Sequence, residues 1–99
     1  MIGSDETKII GNWIEVNGRV VGDEACERID KLTSGYLVQI AYHTENGGWE
    51  TLFQDPNDRR FWERIYPLGH MHGGGPPSLM LLDDEDAQGK YPGFFDPIR

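Results

Sequence analysis

The chain has 99 residues, 37% hydrophobic and 26% charged, with a mean hydropathy of −0.57. A chain this size exposes roughly 16,000 Å² unfolded and about 6,000 Å² folded, enough for one domain with a thin core; its longest apolar run, Leu79 to Leu82, falls far short of the roughly 20 residues that cross a bilayer as a helix. Nine basic residues against seventeen acidic ones give a net charge of −8, the wrong sign for nucleic acid or an anionic membrane surface and the right one for a basic protein partner.

The first eight residues are polar and read as an irregular arm. Ile9 to Val16 alternates as a strand, and Asn17-Gly18 then supplies two residues that tolerate positive φ, the strongest short hairpin signal, with Arg19 to Val21 as the return strand. Asp23 suits a helix N-cap, Glu24 and Glu27 sit at the positive end of the dipole, and Ala25, Ile29 and Leu32 form one apolar stripe beside Cys26. Glu27 and Lys31 make an i, i+4 pair, and Gly35 fits the position after the helix end, so the helix is expected from Glu24 to Ser34. Three strands follow: Tyr36–His43, Trp49–Gln54 and Arg60–Tyr66, joined by turns at Glu45–Gly48 and Asp55–Asp58, an antiparallel meander. Gly73-Gly74-Gly75-Pro76-Pro77 excludes regular structure. Leu79–Leu82 reads as a short strand, Asp83 as the cap of a helical turn reaching Gln88, and 92–99 as a second irregular arm. The order ββαβββ(β) gives a single α+β domain over 1–99: an antiparallel sheet of about five to six strands, in hairpins and a meander, with one main helix packed on one face.

The candidate chemistry is sparse. His70 and His72, spaced i, i+2, are two potential metal ligands, but no Cys pair or HExxH pattern completes a set of three or four, and two hydrogen-bonding loop histidines serve as well. The triple glycine lacks the lysine of a phosphate-binding loop, and the prolines after it remove donors and block a helix start. Cys26 lies among Asp23, Glu24 and Glu27, which raise a thiol pKa, and its place beside the apolar stripe makes it a core residue. Ser78 has no nucleophile elbow around it, and no two of the carboxylates stand out as an acid and base pair. No catalytic residue, metal or cofactor is therefore expected. A lone cysteine excludes an internal disulfide, and the N-terminus has neither a basic start nor an apolar stretch of a signal peptide, so a reducing cytoplasmic location is expected. Of the strand aromatics, Trp13, Trp49, Trp62, Tyr36, Tyr42, Tyr66, Phe53 and Phe61, most belong in the core. One helix covers only one sheet face, so the rest either form an exposed contact patch or are covered by the arm carrying Phe94 and Phe95.

Ile10-Gly11-Asn12-Trp13, Asn17-Gly18-Arg19-Val20-Val21 and Cys26-Glu27-Arg28-Ile29 resemble the opening of the immunity protein 27 family. Gly48-Trp49-Glu50-Thr51-Leu52, Asp55-Pro56, Tyr66-Pro67 and His72-Gly73-Gly74-Gly75-Pro76-Pro77-Ser78-Leu79 resemble its later blocks in the same order, so that the likeness covers about residues 8 to 91. The resemblance implies a cytoplasmic, non-enzymatic protein that binds and neutralises one toxin domain of a bacterial polymorphic toxin system by occluding its active site or substrate surface. An acidic plug suits a toxin that is basic around its site, with acids reaching into the cleft and aromatic anchors slowing release. The candidate partner-binding residues are Glu45, Glu50, Asp55 and Asp58 at the turns of the meander, Asp83 and Asp84 in the acidic run, and the loop residues His70 and His72. The alternatives are an acidic interaction module without a toxin partner and a small metal-binding enzyme built on His70 and His72.

Overall fold

The computed structural model describes residues 2–43, 50–67 and 75–92, with Tyr42 and His43 described by their backbone alone. The strands are β1 (Lys8–Ile10), β2 (Trp13–Val16), β3 (Arg19–Gly22), β4 (Val38–His43), β5 (Glu50–Gln54), β6 (Phe61–Ile65) and β7 (Ser78–Leu82); the helices are α1 (Glu24–Gly35), between β3 and β4, and α2 (Asp84–Lys90), after β7. Five strands form one antiparallel sheet in the order β1-β7-β6-β5-β4, and β2 and β3 form a separate two-stranded ribbon.

The one long strand expected over Ile9–Val16 is therefore two strands in two sheets. Gly11 makes the break. Its N–H donates to the carbonyl of Pro77 at 2.9 Å, and a Cβ there would stand 2.5 Å from that carbonyl oxygen and 2.6 Å from Cys26 Sγ. Apolar residues flank Gly11 on both sides, so periodicity alone does not reveal that the chain passes from one sheet to the other. The pairing of β1 with β7, Ile9 opposite Leu79, was likewise not legible, because it joins segments 70 residues apart in register. It also ties down the N-terminal arm: Ile2 is buried in the core, and Arg60 donates to the carbonyls of Gly3, Ser4 and Glu6 at 3.0, 3.5 and 3.0 Å. Residues 2–7 are irregular, as expected, but anchored by these contacts, and Lys8 already belongs to β1.

Antiparallel partners share a face and successive residues alternate. Phe53 and Trp62, directly opposed, join Leu79 and Ile9 on the face covered by α1, where Ile29 and Leu32 are buried and Ala25 packs against the same cluster. The opposite face carries Leu52 and Phe61, covered by Ala87 of α2 and by Tyr91. The second face is thus covered in part by the short helix and Tyr91; Phe94, Phe95 and Trp49 lie outside the described residues. A register shift between Gln39 and Ala41 breaks the strict alternation expected along β4, so that Ile40 and Ala41 both pack against the second cluster; Val38, ahead of the shift, is exposed.

Asp23 caps α1 as expected, its Oδ1 accepting from Cys26 N–H at 3.0 Å. The helix runs one residue further than expected: Gly35 is helical, and Tyr36 and Leu37 close the end by donating to Leu32 O at 3.1 and 2.7 Å. Tyr36 is consequently a cap residue and no part of β4. Glu27 and Lys31, expected to pair, are both exposed and make no salt bridge with each other. Asp83 caps α2 by the same geometry, accepting from Asp86 N–H at 2.7 Å, and α2 extends past Gln88 to Lys90.

Candidate partner-binding surfaces

Strands β4, β5 and β6 run antiparallel, so the start and the end of β5 lie at opposite ends of the sheet. Glu50 opens β5 at one end, opposite His43, while Asp55 and Asp58 lie beyond its other end, where Phe61 opposes Leu82 and the chain enters α2. The acids singled out in the sequence therefore divide. Asp55, Asp58, Asp83 and Asp84 share one end, and Glu50 is separated from them by the length of β5.

They also divide by environment. Asp55 is 1% exposed: its Oδ1 accepts from Asn57 N–H at 2.8 Å and from the Tyr36 hydroxyl at 2.6 Å. It organises the β5–β6 turn, in which Arg59 adopts a φ of 68°, and its hydrogen bond pushes the Tyr36 hydroxyl up to about 12. Asp58 is exposed but engaged, accepting from Arg60 N–H at 3.0 Å and from Arg60 Nε at 2.6 Å; these bonds, the backbone one foremost, hold its carboxyl below the usual range. Asp83 and Asp84 are exposed, Asp83 serving also as the α2 cap. With Glu85 they form the acidic wall of an open groove of about 510 Å³ whose other lining is Arg60, Phe61, Leu81 and Leu82. The guanidinium of Arg60 is occupied by Asp58 and by the N-terminal carbonyls, and stacks 5.2 Å from the Trp62 ring.

At the other end Glu50 is half-buried, 3.1 Å from Lys90 Nζ, and the same ammonium lies 2.8 Å from Glu63 Oε2. Glu63 is 4% exposed and also accepts from the Tyr91 hydroxyl at 2.7 Å. Burial opposes the charge on Lys90, but its two carboxylate partners outweigh that and hold the ammonium above the usual lysine range. Burial first, then Glu63, pushes the Tyr91 hydroxyl well up. A buried carboxylate needs partners of this kind. Glu50 is thereby a docking point for α2, as Glu63 is. The sequence offered a signal for Glu63, an acid between Phe61 and Ile65 on one strand face; Lys90 offered none, because its helix was read as ending at Gln88.

Among the described residues most of the exposed large apolar side chains lie on the β2–β3 ribbon, which the sequence alone marks only as a hairpin. Asn17 and Gly18 turn it with φ of 53° and 79°, both positive as a type I′ turn requires. Trp13, Ile14, Val16, Val20 and Val21 are all exposed. The readable signal is composition: a four-residue strand, Trp13–Val16, with a single charge, paired with a return strand that also carries only one. The ribbon is rooted on the start of α1, where Asp23 N–H donates to Asn12 O at 2.9 Å and Gly22 leaves room for Cys26. Burial pushes the Cys26 thiol up, and Asp23 nearby adds to this, as a packed rather than a reactive cysteine requires.

Glu45, His70 and His72 lie outside the described residues. Among the described residues no group of three or more histidine, cysteine, aspartate or glutamate side chains comes together as a metal site, and no helix is long and apolar enough to cross a membrane. No curated protein and no solved structure matches the chain. A family model does, over residues 15–83, from the middle of β2 to the α2 cap: the chain belongs to the immunity protein 27 family.

Proposed function

We propose that this protein binds a toxin domain of a polymorphic toxin system in the cytoplasm and neutralises it by covering the active site or the substrate surface, with no reaction of its own. Family membership over residues 15–83 is the observation that carries this reading. The charge of −8 supports it physically, spread as −5 over residues 1–50 and −3 over 51–99. Such a field raises the capture rate of a basic domain from about 10⁵–10⁶ M⁻¹s⁻¹ toward 10⁸–10⁹ M⁻¹s⁻¹ at low salt, which suits the interception of a lethal enzyme. The exposure of Asp58, Asp83 and Asp84 supports a steering role for these acids, while Asp55 is buried and Glu50 pairs with Lys90.

Growth rescue tests the reading. The toxin domain encoded next to this chain's gene is induced in sensitive cells with and without the chain. Restored growth is the expected result; killing that persists at a measured molar excess of folded chain contradicts it.

A further inference from the structure

The β2–β3 ribbon projects from its root on α1 with apolar side chains on both faces. Ile14 opposes Val21, beside Val16, on one face; Val20 and Trp13 stand on the other. Val20 is 69% exposed, Val16 46% and Ile14 44%. Among the described residues no third strand pairs with either outer edge. An isolated two-stranded ribbon is marginal in water, and a partner on one side alone would leave half of these groups wet. A cleft that closes on both sides would cover them all.

The surroundings specify what such a cleft carries. Glu15 on the ribbon and Glu24 and Glu27 on the first turn of α1 are exposed, and none has a salt-bridge partner among the described residues. A second copy would bring the same carboxylates and a further −8 of charge to the contact, so charge opposes self-pairing and favours a basic partner.

We propose that the β2–β3 ribbon inserts into an apolar cleft, rimmed by lysine and arginine, on the toxin domain. The proposal rests on the toxin-binding reading above and names the element that makes the contact. The tip is open among the described residues: apart from its own chain neighbours, none of their atoms lies within 4 Å of where a Cβ on Gly18 would stand. The base is fixed by the Asp23 to Asn12 hydrogen bond, so the ribbon is presented with little ordering left to complete on binding.

The experiment measures affinity of the full chain for the adjacent toxin domain carrying an inactivating substitution. Ile14→Glu/Val20→Glu and Val20→Glu alone are compared with Val38→Glu, which alters an apolar residue of β4 that is 51% exposed. All of these sites are exposed, so melting temperatures should stay near that of the unaltered chain, and Val20→Glu carries the test if the double variant fails to fold. The expected result is at least about 30-fold weaker binding for the ribbon variants, with Val38→Glu within about threefold. Unaltered affinity in folded ribbon variants overturns the proposal while leaving the toxin-binding reading intact. So does an equal loss in Val38→Glu, or ribbon-dependent self-association in sedimentation with toxin binding unchanged. Absence of binding by the unaltered chain defeats the toxin-binding reading and the proposal with it.

Discussion

Replacing Lys90 with methionine keeps most of the side-chain stem and removes the charge shared by Glu63 and Glu50. The ammonium lies 2.8 Å from Glu63 Oε2, and the Glu63 side chain is only 5% exposed, so the variant leaves a buried carboxylate held by the Tyr91 hydroxyl without its cation. Breaking a fully buried pair costs about 3–5 kcal/mol, and an exposed pair about 0–1. Lys90 is itself 34% exposed and water reaches it, so the expected loss lies between, at about 2 kcal/mol. Glu63→Gln keeps a carbonyl that can accept from Tyr91 and removes the buried charge. The double variant should therefore lose less than the sum of the singles, by about 1 kcal/mol or more. Urea denaturation followed by tryptophan fluorescence, completed as a double-mutant cycle, measures this. Additive losses, or a Lys90→Met cost below about 0.5 kcal/mol, would show that the cluster does not hold α2 to the sheet.

Gly11→Ala places a methyl group 2.5 Å from Pro77 O and 2.6 Å from Cys26 Sγ, so backbone has to move; the expected cost is about 1–3 kcal/mol, and a melting temperature unchanged by the substitution would refute it. Stability should fall on both sides of neutral pH. Glu6, held by Arg28 at 2.7 Å and by Gly3 N–H, has its pKa lowered from 4.5 to about 2, so its contribution is present above 4.5 and lost as pH drops through that range. Asp23 and Asp58 act in the same direction. Tyr36, raised from 10.0 to about 12, contributes below 10 and loses that contribution as pH climbs toward 12, with Tyr91 and Lys90 also favouring the alkaline decline. Melting temperature against pH checks both arms, and a curve flat from pH 3 to 12 would contradict the placement of these groups. The association rate with the toxin domain should drop several-fold or more as salt is raised from about 50 to 500 mM, and stopped-flow mixing that shows a constant rate would remove the steering argument.

The sequence made local structure readable where one residue decides it. Asn17-Gly18 set the hairpin, Asp23 and Asp83 capped their helices, and Asp55 to Asp58 supplied the turn. Long-range pairing was not readable. Nothing local distinguishes an Ile9 that pairs with Leu79 from one that continues into the hairpin, because what separates them is the close approach of Gly11 to Pro77. The same limit governs the site. A carboxylate reads as solvated surface until its neighbours are known, and Asp55 and Glu50 have partners from distant positions, Tyr36 and Lys90. The apolar ribbon was visible in composition, but a core strand and an exposed one of this kind read alike until the sheet that would cover it is placed elsewhere.

The most direct test of the central claim is titration of the active toxin domain with the purified chain, reading residual toxin activity and complex mass together. A functional inhibitor that works by occlusion should abolish activity at one equivalent and run as a stable 1:1 complex. Full toxin activity at several equivalents of folded chain, or loss of activity at far below one equivalent through turnover of a substrate, would contradict the account.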